Sequence, residues 1–192
     1  MNVHGYTISR VNGPGLRFVL WTQGCSKGCK NCFNPLTWSN EKNKIFTNDN
    51  LLELIKNFED IDGITITGGD PFEQEYELLE LLFSLSSFNF KKGIIVYTGF
   101  TIDEINENPI RRKCLDYLDI LIDGRYVEEN KISSGLKGSS NQNVFYFSDK
   151  VKEEEINIDQ EIEIGFSEDT VFLTGFPVND KKFLKDLGIS LK

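Results

Sequence analysis

Four short apolar runs, each closing on a glycine, recur along residues 16–124 of this 192-residue chain. They are 16–22 (LRFVLWT, then Gln23-Gly24), 63–67 (GITIT, then Gly68-Gly69), 93–98 (GIIVYT, then Gly99) and 118–123 (LDILID, then Gly124). Their β-branched content and length predict buried strands. Helical spacing fills the gaps. Thr47 is placed to cap a helix running to about Phe58, leucines repeat through 74–87, and Thr101 with Glu104 forms a capping box. Strand followed by helix, repeated, predicts βα units and right-handed crossovers, hence an α/β fold with a mostly parallel sheet. Four such strands are too few for a closed eight-stranded barrel, so the expectation is an open, partial (βα) barrel. In such sheets ligands gather at the C-terminal strand ends. Those ends are where the unusual residues of this chain fall.

The first of these ends reads Cys25-Ser-Lys-Gly-Cys29-Lys-Asn-Cys32, a C-x3-C-x2-C spacing. Gly24 and Gly28 let the loop fold three thiolates around one face of a cuboidal cluster, and thiolates are the usual ligands of iron–sulfur clusters. Three ligands on four irons leave one iron open for chemistry. Two alternatives remain at this point. A structural zinc, or a fully ligated cluster, needs a fourth ligand, for which the chain offers only Cys114 or His4. Cys114 reads as a small buried hydrophobe and His4 as a packing or surface residue. A single histidine excludes multi-histidine metal sites and argues against a Ser–His–Asp triad.

The second end, Gly68-Gly69-Asp70-Pro71, is either a tight βα turn or a cradle where backbone meets a ligand. Under the second reading a side chain at Gly69 would crowd that ligand. Thr98 ends the third strand, and Asp123 with Arg125 ends the fourth, as site residues or as strand-end pairs. Arg17 is either a buried ion pair or an anion ligand. The turn at 12–15 and the basic Arg111-Arg112-Lys113 face carry bland readings as well.

Net charge is −9, which disfavours nucleic acid as a partner. No run of 18 apolar residues predicts a membrane span, and the first residues lack a signal-peptide pattern. The cytoplasm is the expected location. Residues 126–143 read as a long polar loop. Beyond about 150 the pattern changes to a charge run at 152–155, two strand-like stretches at 156–166 and 170–176 that suggest a hairpin, and a possible helix over 180–187. The organisation expected is a core domain at 1–150 and a C-terminal extension at 151–192.

Taken in order, Val11-Asn12-Gly13-Pro14-Gly15 with Arg17, the cysteine trio with Asn34 and Thr37-Trp38, Thr67-Gly68-Gly69-Asp70-Pro71, Thr98-Gly99-Phe100, residues 119–126 (DILIDGRY) and Gly138-Ser139-Ser140-Asn141-Gln142 resemble the radical S-adenosylmethionine superfamily. The branch they resemble is that of the activating enzymes of anaerobic ribonucleoside-triphosphate reductase. The resemblance covers residues 5–145 and implies a radical S-adenosylmethionine type of partial barrel. It implies a [4Fe–4S] cluster on Cys25, Cys29 and Cys32, with S-adenosylmethionine chelating the open iron. It implies cofactor contacts at Gly68, Gly69, Asp70, Pro71, Thr98 and Asp123. Many members carry an aromatic where this chain has Asn31, and Phe33 is expected to take over that packing. The activity implied is reductive cleavage of S-adenosylmethionine and formation of a glycyl radical on a large partner enzyme. Electrons would come from a flavodoxin- or ferredoxin-type donor. Two rival functions are a radical enzyme acting on a small molecule, as in deazapurine synthesis, and a cluster-bearing sensor or subunit.

Overall fold

The computed structural model describes residues 1–166 and 171–176. In chain order, strands β1 (Asn2–Ser9), β2 (Arg17–Thr22) and β3 (Lys44–Ile45) precede helix α1 (Asn48–Lys56). Then come β4 (Gly63–Gly68), α2 (Glu75–Leu85), β5 (Ile94–Tyr97), α3 (Ile102–Asn106), α4 (Pro109–Cys114), β6 (Ile120–Asp123) and β7 (Asn143–Tyr146). The chain continues through α5 (Glu153–Ile156) into the hairpin β8 (Ile162–Phe166) and β9 (Val171–Gly175). The expected helix over 180–187 lies outside the described residues.

A seven-stranded sheet runs β3-β1-β2-β4-β5-β6-β7. Its centre, β2-β4-β5-β6, is parallel, and these are the glycine-ended runs of the sequence. The sheet does not close, so the partial barrel is open. β1 and β7 pair antiparallel on β2 and β6, and β3 pairs on β1. The alternation of β1 is broken by Gly5 and by a register irregularity between Val3 and Gly5, which masks it in the sequence. Two readings change as a result. Residues 12–15 connect an antiparallel strand pair rather than leading into a first strand, and the cysteine loop follows the second strand. The polar stretch at 126–143 is a long loop that delivers the chain to β7. It is tied down by Gln142, whose Oε1 accepts from the Gly138 and Ser139 N–H groups while its Nε2 donates to the Gly124 carbonyl.

The two faces of the sheet are built differently. Phe18, Leu20, Ile64, Ile66, Ile94 and Val96 point to the helix side, against Leu51 and Ile55 of α1 and Leu78, Leu81, Leu82 and Leu85 of α2. Each such side chain contributes roughly 1.5–3 kcal/mol of burial. Thr47 caps α1 by accepting from the Asn50 N–H, and the Thr101–Glu104 capping box holds α3. Cys114 is fully buried in this core, its Sγ 3.5 Å from the Ile110 carbonyl. A smaller apolar cluster on the other face joins Ile95, Ile120 and Ile122 to Leu136, Val151 and Ile156. No helix among the described residues is long and apolar enough to cross a membrane.

Candidate active site

Beyond β2 the chain turns sharply at Gly24 and again at Gly28, both in the left-handed region (φ 111 and 60). Asn31 joins them there at φ 55. Backbone bonds pin the resulting loop: Gly24 N–H to the Thr37 carbonyl (2.7 Å), Cys25 N–H to Trp38 (3.1 Å) and Cys32 N–H to Cys29 (3.1 Å). The loop thus presents Cys25, Cys29 and Cys32 together at a strand end. The Cys32 sulfur accepts a hydrogen bond from the Asn34 N–H at 3.4 Å. Donors of this kind favour thiolate and tune a cluster's potential. Without metal charge, burial pushes the Cys25 thiol up to about 11 and the Cys29 thiol upward too. Cationic iron supplies what those thiolates lack.

The residues fit a cluster. Nothing lies within 4 Å of the point where a Gly28 Cβ would stand, so the loop has open space. Among the described residues, the set close enough to share a single ion is Cys25, Asp70 and Glu73, within 4.8 Å of one another, and not the three cysteines. Three thiolates at one strand end are a donor set that suits an iron–sulfur cluster. Neither alternative fourth ligand stands ready, since Cys114 sits in the helix-side core and His4 bonds Gln23 through Nδ1 at 2.9 Å.

The 68–71 turn is locked to this loop. Gly69 N–H donates to the Thr22 carbonyl (2.9 Å) and Asp70 N–H to the Gly24 carbonyl (2.8 Å). A Cβ on Gly68 would lie 2.7 Å from Thr22 N and Trp21 Cα, and one on Gly69 only 2.2 Å from the Gly24 carbonyl oxygen. The expectation that a side chain at Gly69 first crowds a ligand is therefore corrected. It first strikes the backbone next to Cys25, because two loops must pass in contact there.

Asp70 is buried. Its Oδ1 accepts from Thr98 Oγ1 (2.8 Å) and the Phe72 N–H (3.1 Å), and its Oδ2 from the Gly99 N–H (3.0 Å). Burial lifts its carboxyl to about 6 against those donors and the nearby Lys27. Asp70 and Thr98 thus join the ends of β4 and β5 beneath the cysteine loop. Pro71 is buried and opens a 3-10 turn, Pro71–Gln74. From that turn Glu73, which sequence reasoning missed, accepts from the Ser26 N–H (2.9 Å) and hydroxyl. A glutamate forty-seven positions from its partner leaves no local signal. Lys27 lays its Nζ 3.2 Å from the centre of the Phe100 ring.

The remaining predicted residues sit as follows. Asp123 is fully buried; Oδ2 accepts from the Ile102 N–H (2.7 Å), and Oδ1 accepts from the Asn143 N–H (3.1 Å) and Nδ2 (2.9 Å). It braces β6 to α3 and β7. Arg125 is exposed, with its Nη2 3.9 Å from Glu104. Arg17 is neither ion-paired nor open to an anion. It is fully buried and donates to Thr65 Oγ1 and to the carbonyls of Pro14, Lys92, Ile64 and Gly93. Burial lowers its pKa to about 10, opposed by Tyr97, Asp119 and Asp62. Phe33 packs on Tyr126 (ring centres 4.9 Å) and edge-on to Phe176 (6.0 Å). It lines a cavity of about 120 Å³ together with Asn12, Trp21, Asn34, Thr67, Tyr97, Tyr126 and, from the hairpin side, residues 173–176. This cavity begins one residue beyond Cys32.

Known proteins are similar to this chain in sequence. Residues 11–145 match the 4Fe-4S single cluster domain family. The chain is 34% identical over 150 residues to the anaerobic ribonucleoside-triphosphate reductase-activating protein of Enterobacteria phage T4, covering 76% of this chain and 94% of that one. It is 33% identical over 154 residues to the protein of that name from Escherichia coli K12, covering 76% of this chain and 99% of the relative. The Vibrio cholerae protein of the same name is 32% identical over 157 residues, covering 77% and 99%. With thiols, glycine turn and strand ends in these places, and with relatives matched over nearly their whole length, the chain belongs to the anaerobic ribonucleoside-triphosphate reductase-activating protein family.

Proposed function

We propose that this protein is a radical S-adenosylmethionine activase that installs a glycyl radical on a large partner, anaerobic ribonucleoside-triphosphate reductase. The single observation that carries the reading is the cysteine loop itself. It brings three thiols together at the end of a parallel strand and beside a cavity, with Cys32 met by the Asn34 N–H. When bound, the reduced [4Fe–4S] cluster and S-adenosylmethionine supply methionine and a 5′-deoxyadenosyl radical, which takes a hydrogen atom from a glycine Cα.

The chain's own groups do the placing. Cys25, Cys29 and Cys32 would hold the cluster, and S-adenosylmethionine would bind at the iron they leave open. The turn formed by Gly68, Gly69, Asp70 and Pro71 would receive the methionyl ammonium. Asp70 and Thr98 position that turn through their mutual bond, and Asp123 positions the strand end behind it. Phe33 shields the cofactor from the cavity side. A one-electron donor of flavodoxin or ferredoxin type serves the cluster. The core at 1–150 carries the chemistry and the extension at 151–192 serves it.

The test is electron paramagnetic resonance on reduced protein, S-adenosylmethionine and the co-encoded candidate partner, mixed without oxygen. A glycyl doublet on the partner is the expected result. Cleavage to 5′-deoxyadenosine with turnover of a small metabolite and no partner radical would replace this reading with a small-molecule enzyme, and no cleavage under any reductant would replace it with a sensor.

A further inference from the structure

The β8–β9 hairpin has no strand partner in the main sheet. It nevertheless closes one side of the cavity that begins beside Cys32. Thr174, 4% exposed, accepts through Oγ1 from Asn12 Nδ2 at 2.7 Å. Asn12 also donates to Ser9 Oγ (2.8 Å), so its amide is fixed on both sides of the bond. Gly175 lies against Val11 so closely that a Cβ there would be 2.7 Å from Val11 Cγ2. Phe176 meets Phe33 edge-on, and Phe33 is the residue after the last cluster cysteine. Glu163 holds the other strand by accepting from the Arg10 N–H at 3.0 Å. The matched cluster domain ends at residue 145, so this wall lies outside what the family match covers.

From this placement we infer that residues 173–176 form the outer wall of the substrate cavity, with Thr174 and Phe176 determining which peptide segment of the partner enters. Size and lining point to peptide. A cavity of about 120 Å³ is well under the roughly 300 Å³ of a small-molecule pocket, and it suits a short run of backbone bearing no side chain. Phe176 and Phe33 set its width with flat apolar faces. Asn12 and Thr174 form a buried, mutually bonded polar pair in its lining, which fixes the wall where it meets the end of β1. The inference rests on the activase reading and adds to it a specificity element that the matched core lacks.

The experiment uses the full chain, with Phe176→Ala, Thr174→Val and Thr174→Ser made separately. Iron content after anaerobic reconstitution controls for folding. Glycyl-radical formation on the co-encoded partner is measured against partner concentration. Backbone hydrogen exchange of residues 173–176 is followed with and without saturating partner. The expected result is slowed exchange in the wild type on adding partner, a KM for partner raised about tenfold by Phe176→Ala, a smaller rise for Thr174→Val, and recovery by Thr174→Ser. In each case kcat changes far less than KM. An unchanged KM in both disruptive variants, or equal exchange with and without partner, overturns the inference. A wild-type protein that cleaves S-adenosylmethionine yet leaves no radical on the partner is a failure of the activase reading instead. In that event the wall is judged by the exchange data alone.

Discussion

The cysteine loop and the β8–β9 hairpin flank one cavity and are held in opposite ways. The loop is secured largely by backbone: the Gly24 and Cys25 N–H groups donate to the Thr37 and Trp38 carbonyls, the Gly24 carbonyl accepts from the Asp70 N–H, and Glu73 accepts from the Ser26 N–H. The hairpin pairs its two strands with each other and meets the core through contacts that include Asn12–Thr174, Arg10–Glu163 and Phe33–Phe176. Both meet their neighbours at a glycine. A Cβ at Gly69 would stand 2.2 Å from the Gly24 carbonyl oxygen, and one at Gly175 would stand 2.4 Å from that of Glu161. The same steric demand serves two purposes. At Gly69 it keeps the cysteine loop in place, and at Gly175 it seats a wall. Chemistry at a cluster needs ligand positions held tightly, whereas a wall tolerates looser attachment.

The largest effect expected is at the ligands. Cys25→Ala, Cys29→Ala and Cys32→Ala should each lower reconstituted iron from about four per chain toward zero. Cys114→Ala should keep it, since that thiol packs in the helix-side core. Iron and sulfide analysis decides this, and cluster loss in the Cys114 variant would break the three-ligand assignment. Next comes Gly69→Val. It should lose most of its iron together with stability, by about 3 kcal/mol or more, because the obstructing atoms are backbone. Full iron with weakened S-adenosylmethionine binding would instead restore the idea that Gly69 faces the ligand. The smallest effect is expected on the hairpin side. Gly175→Ala, strained at φ 97, should cost about 1–2 kcal/mol and leave the iron content unchanged. Thermal unfolding and iron analysis on that one variant test whether the two regions are as separate as their bonding implies.

Much of the fold was legible. The four parallel strands announced themselves because buried parallel strands are continuous apolar runs, and each ends where backbone must turn. Thr47 and the Thr101–Glu104 pair marked helix starts because capping is a local transaction between near neighbours. β1 and β7 escaped notice for a complementary reason. They are antiparallel strands of the sheet, largely half-buried or exposed, and their patterns are weak without the neighbours they pair with. At the site, the three cysteines and the 68–71 turn stood out by residue type and spacing. Glu73 did not, because its partner Ser26 is distant in the chain. Arg17 stood out but could not be read, since its five acceptors are neutral oxygens gathered from three separate segments.

By itself the sequence determined the cysteine spacing, the strand-and-glycine rhythm and the helix caps, because each depends on residues within a turn or two of one another. Only the tertiary structure decided what those parts do together. It showed that Gly69 is glycine because the Gly24 carbonyl passes beside it. Asp70 and Thr98 bridge two strand ends, Asp123 braces β6 to α3 and β7, and a hairpin from beyond the matched domain walls the cavity beside Cys32. Those outcomes depend on which segments meet across the sheet, and sequence spacing carries no record of that distance.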